Sequence, residues 1–186
     1  MYTRKFDFSR LRVLVVENHA LMRRLLGEML RGFGVQYITF ARDVPDSIEH
    51  IYGETFDLVI LDFFLGELDG ADFAKFVRFD DNCMNREVPI LLVTATPNHH
   101  KVLKVLDAGI NAMLAKPIAA KDLYDRIHAI LTNPRPFVIS DTYVGPARSR
   151  PRRPARRPGT ATITAKASAQ AHRERLKPAI EDGFLF

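Results

Sequence analysis

The sequence predicts an α/β protein: a doubly wound, five-stranded parallel sheet with helices on both faces. Two observations carry this expectation. Short apolar runs rich in β-branched residues alternate with stretches whose apolar residues recur at three and four positions. The alternation repeats five times within about 125 residues, and right-handed crossovers leave a doubly wound sheet as the economical topology.

Val13-Leu14-Val15-Val16 is the first predicted strand. Met22, Leu25, Leu26, Met29, Leu30 and Phe33 then mark one helical face, with Arg23, Arg24, Glu28 and Arg31 opposite and Gly32 and Gly34 as the stop. Residues 35–40 give the second strand, and Asp43 with Pro45 makes a capped start for a helix reaching about Tyr52. The third strand, Asp57 through Leu61, ends on Asp62. A loop through Gly66 and Gly70 leads to a helix with Phe73, Phe76 and Val77 inward. Pro89 opens a fourth strand, Ile90 to Val93, ending on Thr94. Pro97 begins a helix with Val102, Val105 and Leu106 on its apolar side, closed by Gly109. The fifth strand, Ala112 to Ala115, ends on Lys116-Pro117, and the last helix turns Leu123, Ile127, Ile130 and Leu131 inward before Asn133-Pro134.

At 186 residues and 47% hydrophobic, the chain holds one sizeable core plus an extension. Residues 1–145 carry 17 Lys/Arg against 19 Asp/Glu, whereas residues 146–186 carry 10 against 3. A body near neutrality thus bears a basic tail, which suits a polyanionic partner or a solvated arm. Cys83 is the only cysteine, which excludes an internal disulfide and a cysteine-rich metal site and fits a reducing compartment. Residues 1–10 lack an apolar stretch of signal-peptide length, and no segment approaches about 18 uninterrupted apolar residues. The expectation is a cytoplasmic protein without a membrane span, divided into an arm (1–10), a folded body (11–132) and a largely disordered Arg/Pro-rich tail (133–186). Within that tail, Phe137-Val138-Ile139 has the composition of a short extended piece and residues 165–177 the length of one short helix.

Ligands of doubly wound sheets bind beyond the carboxyl ends of the strands. Glu17 and Asn18 follow the first strand, Asp62 ends the third, Thr94 the fourth, and Lys116 follows the fifth. Each alone has an ordinary structural explanation as a cap or loop residue; together, at the correct ends of four strands, they suit phosphoryl transfer to a carboxylate. Such a nucleophile requires that the charge of the incoming group be neutralised by a divalent cation and a fixed ammonium. Glu17, Asn18 and Asp62 offer the hard oxygen ligands that Mg²⁺ prefers. Lys116 would pair with one phosphoryl oxygen, and the Thr94 hydroxyl would donate to another.

The ordered motifs Val13-Leu-Val-Val-Glu17-Asn18, Asp57-Leu-Val-Ile-Leu-Asp62, Leu68-Asp69-Gly70, Leu92-Val93-Thr94-Ala95 and Lys116-Pro117 resemble the receiver domain of two-component response regulators over about residues 10–132. The resemblance implies a flavodoxin-like sheet of order 2-1-3-4-5 and a cis Lys116-Pro117 bond. It implies Asp62 as phosphoacceptor, Glu17, Asn18, Asp62 and the Phe64 backbone carbonyl as Mg²⁺ ligands, and Thr94 and Lys116 as phosphoryl-stabilising groups. It further implies a histidine kinase or histidine phosphotransfer protein as donor, a downstream protein target, and no enzymatic activity beyond slow self-dephosphorylation. Three departures stand out. Asn18 occupies a position that is usually acidic, so weaker Mg²⁺ binding is expected. Met113 replaces the switching aromatic three positions before the lysine, which leaves Thr94 and Met113 as the switch pair, and Gly66 stands where proline is common.

Competing readings are a pseudo-receiver that interacts without phosphorylation, favoured by Asn18 and Met113, and a regulator that holds nucleic acid through the basic tail, whose residues 149–159 are almost wholly Arg and Pro. A dinucleotide fold is disfavoured because Gly32-Phe33-Gly34 lacks the third glycine and follows a helix. An aspartyl phosphatase is disfavoured because Phe64 stands where a second acid is needed, and His99-His100 read as surface residues. A monomer or weak homodimer is expected.

Overall fold

A computed structural model describes residues 6–95 and 99–148, with only the backbone of residues 99–102. Five βα units follow one another: β1 (Arg12–Val16), α1 (Ala20–Gly32), β2 (Tyr37–Ala41), α2 (Val44–Gly53), β3 (Leu58–Asp62), α3 (Gly70–Phe79), β4 (Ile90–Thr94), α4 (His99–Asp107), β5 (Ala112–Ala115) and α5 (Ala120–Thr132). The five strands form one sheet in the order β2-β1-β3-β4-β5, all pairs parallel. The predicted fold class and strand order are therefore the observed ones.

The helix boundaries follow from local chemistry. Asp43 caps α2 by accepting the Asp46 N–H at 2.9 Å, with proline in the first turn. At the end of α1, Gly34 adopts φ 99°. This lets its N–H reach the Arg31 carbonyl and the Val35 N–H reach the Leu30 carbonyl, at 2.9 and 3.0 Å, the paired bonds that satisfy a helix C-terminus.

Alternate residues of each buried strand serve opposite faces. Leu14, Val16, Val59, Leu61, Ile90 and Leu92 pack with α2, α3 and α4, while Val13, Val15, Leu58, Ile60, Leu91 and Val93 pack with α1 and α5. The stripe on α4 differs from expectation. Val105 is buried, as is Ala108 just beyond the helix, but Leu106 is 43% exposed, because the contact with the core runs through Val105 and turns residue 106 away. Pro97 and the side chains of Val102, His99 and His100 lie outside the described residues.

Both ends of the body extend beyond the expected boundaries. Phe8 is buried with its ring 5.2 Å from Tyr124 of α5, so residues 6–10 do not form a free arm. After α5 the chain forms an antiparallel hairpin of β6 (Phe137–Ile139) and β7 (Val144–Pro146). The piece expected to be extended at residues 137–139 is thus one half of a docked unit rather than part of a disordered tail. Residues 149–186, including the expected helix at 165–177, lie outside the described residues.

The hairpin docks by backbone contact. Gly109 has φ 75°, and a Cβ there would collide with the Val144 carbonyl and the Gly145 Cα; a Cβ on Gly145 would strike the Gly109 Cα in turn. Beneath them the fully buried Arg78 of α3 donates to the carbonyls of Gly109 and Val88, at 3.0 and 2.7 Å, and to the Asn111 amide oxygen at 3.2 Å. The Phe137 ring lies 5.4 Å from its guanidinium. Burial pulls Arg78 down to about 10, so it remains a cation at neutral pH, solvated by carbonyl dipoles. Arg135 adds a bond to the Asn111 carbonyl, and Arg148 pairs with Asp107 at 2.6 Å.

Gly109→Ala should therefore lower the unfolding free energy by about 1–3 kcal/mol, through both the strained backbone and the displaced hairpin. Urea denaturation measures the first, and faster proteolysis within residues 133–148 reads the second; unchanged cleavage would contradict the docking.

Candidate functional site at the carboxyl edge of the sheet

Strand register assembles the site. Val16 pairs with Leu61, Asp62 with Val93, and Thr94 with Ala115, so Glu17, Asp62, Thr94 and Lys116 emerge side by side at one edge. The Lys116 N–H continues the ladder to the Thr94 carbonyl at 2.8 Å, and the Lys116-Pro117 peptide is cis.

Lys116 Nζ donates to Glu17 Oε2 at 2.8 Å and to Asp62 Oδ1 at 2.9 Å. Each carboxylate turns its second oxygen to a backbone amide: Asp62 Oδ2 accepts the Phe64 N–H at 3.2 Å, and Glu17 Oε1 accepts the His19 N–H at 3.0 Å. Glu17 is 1% exposed and Asp62 6%, so these charges are satisfied inside the protein rather than by bulk water. Burial by itself would lower the Lys116 ammonium; the hydrogen bonds and charges of Glu17 and Asp62 outweigh it and raise the pKa above its ordinary value. One ammonium and two carboxylates leave the trio with a net negative charge, against which a phosphoryl group could approach only with a further cation.

The loop after β3 is also fixed. Phe64 and Asp69 form an antiparallel bridge, the Gly70 N–H donates to the Phe63 carbonyl at 2.9 Å, and Asp69 caps α3. Gly70 leaves no room for a side chain, since a Cβ would meet the Asp62 carbonyl. Gly66 sits at φ 110°, a conformation that its lack of a side chain permits.

The structure brings Glu17, Asp62 and Lys116 into direct contact and sets Thr94, buried, at the neighbouring strand end. Asn18 lies exposed beside them. Phe64 contributes its amide, and its ring is 49% exposed. Met113 lies further down β5, opposite Leu92 and packed against the core on the α2–α4 face. The donors available to a metal are hard oxygens, which suit Mg²⁺ in kind. Among the described residues, no three acidic, histidine or cysteine side chains gather to hold an ion.

Sequence reasoning missed three contributors. Arg23 donates to the Glu17 carbonyl at 2.7 Å, His19 caps α1 with its imidazole, and Lys104 ion-pairs with Asp69. The first two follow Glu17 within the next six residues but belong to no familiar pattern. Lys104 is 35 residues from its partner, beyond any local signal.

The family described as the response regulator receiver domain matches residues 13–128. Among similar proteins, the chemotaxis protein CheY of Pseudomonas aeruginosa is 27% identical over 120 residues, covering 64% of this chain and 95% of that one. The phosphate regulon transcriptional regulatory protein PhoB of Klebsiella pneumoniae is 27% identical over 130 residues, covering 70% of this chain but 56% of PhoB. Among solved structures, the receiver domain of a sensor histidine kinase from Pseudomonas aeruginosa, with a magnesium ion coordinated in its active-site cleft, superposes with TM-score 0.60 at 26% identity. It covers 66% of this chain and 98% of that one.

Lys116→Met should lower the unfolding free energy by about 1.5–3 kcal/mol at neutral pH without divalent cations, since it leaves two buried carboxylates without their shared donor. A raised folded-state pKa means that the lysine's contribution is complete below its ordinary value of 10.5 and is lost as pH climbs through the higher folded value. The difference between wild type and variant, followed by urea denaturation, should accordingly shrink only above that pH.

Proposed function

This chain belongs to the response-regulator receiver family of two-component signalling, and from that premise we propose that Asp62 accepts a phosphoryl group from a phosphohistidine of a histidine kinase or histidine phosphotransfer protein. The observation that carries the proposal is the Asp62 carboxylate at the mouth of the sheet, 2.9 Å from an ammonium that it shares with Glu17. An Asp62 oxygen attacks phosphorus, the new O–P bond forms as the P–N bond breaks, and the electron pair stays on the imidazole nitrogen, which is then protonated from solvent. Lys116 supplies a point charge to one phosphoryl oxygen, and the Thr94 hydroxyl donates to another.

Glu17, Asn18, Asp62 and the Phe64 carbonyl would hold Mg²⁺, which supplies the remaining countercharge when bound. The magnesium-bearing cleft of the related kinase receiver supports this reading. In it, the acyl phosphate changes the packing around Thr94 and Met113, and the surface of α4, β5 and α5, where Leu103 and Leu106 are exposed, meets a downstream protein in the cytoplasm. The protein itself is a regulatory acceptor rather than an enzyme.

A second reading is favoured by Asn18 and Met113: an interaction module that works without phosphorylation. The basic segment after Arg148 adds an electrostatic route to nucleic acid. No described helix is long and apolar enough to cross a membrane.

Incubation with acetyl phosphate and Mg²⁺ should add one phosphoryl group by intact mass, lost in Asp62→Ala; an unmodified wild type would favour the second reading. Asn18→Asp restores an anionic oxygen and should tighten Mg²⁺ binding by about an order of magnitude, measured by calorimetric titration.

A further inference from the structure

Lys104 lies on α4, and the proposed chemistry gives it no task. Its ammonium crosses to the start of α3, where it pairs with Asp69 Oδ2 and stands 3.5 Å from Asp72 Oδ1. A cation at a helix N-terminus opposes the helix dipole; the two carboxylates, rather than the helix, account for its position.

Asp69 divides its oxygens between two duties. Oδ1 caps α3 by accepting the N–H groups of Ala71 and Asp72 at 2.9 and 3.0 Å, and Oδ2 takes the lysine. The Asp69 N–H in turn donates to Asp72 Oδ2 at 3.2 Å. The cap is thus complete without Lys104. The backbone of Asp69 bridges Phe64, and the Phe64 N–H holds Asp62 Oδ2. A continuous series of named contacts runs from α4 to the carboxylate proposed to accept phosphate.

We infer that Lys104 is a positioning residue for phosphorylation of Asp62: by fixing Asp69 it sets the loop of residues 63–69, and with it the Phe64 amide that orients the nucleophile. The inference rests on the reading of Asp62 as phosphoacceptor. It also makes α4 more than an output surface, because a partner that moves this helix through the exposed Leu103 and Leu106 changes the reach of Lys104.

The test uses the full chain, with initial rates of acetyl phosphate labelling and the amide resonance of Phe64 recorded without metal or phosphodonor. Lys104→Met should slow labelling about three- to fivefold and shift the Phe64 resonance, and Lys104→Arg should restore both. Asp69→Asn retains an oxygen for the cap yet loses the charge; it should slow labelling to the same extent, and the double variant Lys104→Met/Asp69→Asn should be no slower than either single one. A wild-type rate and an unmoved Phe64 resonance in Lys104→Met, with Asp62→Ala inert, would overturn the inference and leave the phosphoacceptor reading intact, as would a lowered melting temperature without a change in rate. A wild type that takes no phosphoryl group would bring down both.

Discussion

Two carboxylates and one ammonium meet at the end of an apolar sheet, and the position of the ammonium is the constraint on which the site depends. Glu17 follows β1 and Asp62 ends β3, strands paired on both sides, but Lys116 follows β5, a four-residue strand at the sheet edge. A slip of one residue would turn its side chains to the other face. The register is secured at the opposite end of the strand. Asn111 donates its N–H to the Ile90 carbonyl and accepts the Ile90 N–H on its side chain, at 2.9 and 3.0 Å, and Arg78 binds the same amide oxygen. A buried guanidinium with no chemical part in the site thus helps determine where the lysine of the site stands.

The electrostatic balance has a clear functional direction. Under the proposed function, a phosphoryl group would bring negative charge to a trio that already carries an excess, so affinity for a divalent cation would govern how readily Asp62 is modified. Asn18 keeps the oxygen and gives up the charge. At position 113 a flexible thioether packs against the core.

The fold was legible because its signals are local and repeated. Each buried strand is a short apolar run, α1 and α2 carry their stops and caps in sequence, and the polar residues at the strand ends stand out against what precedes them. Glu17, Asp62 and Lys116 could be placed together because parallel topology brings strand ends into line. The contributions at the termini were not legible. Phe8 looks like any aromatic in a charged segment, and its burial depends on Tyr124 more than 100 residues away. Asn133-Pro134-Arg135-Pro136 does end a helix, yet the same residues lead into a hairpin whose three-residue strands show no periodicity. Its docking is decided by two glycines whose meeting no local pattern announces. Leu106 illustrates a smaller error of the same kind: beside the buried Val105 it lies at the margin of the apolar stripe, and the packing rather than the periodicity decides that it faces outward.

The interlocked glycines also determine where the rest of the chain begins. Gly109 and Asn111 precede β5, so the hairpin covers the amino edge of β4 and β5, and Arg148 leaves the body beside the last residue of α4. This edge lies a full strand length from Asp62, about 13–17 Å for four or five residues. The hairpin therefore packs at the edge opposite Glu17, Asp62 and Lys116 and leaves that trio uncovered.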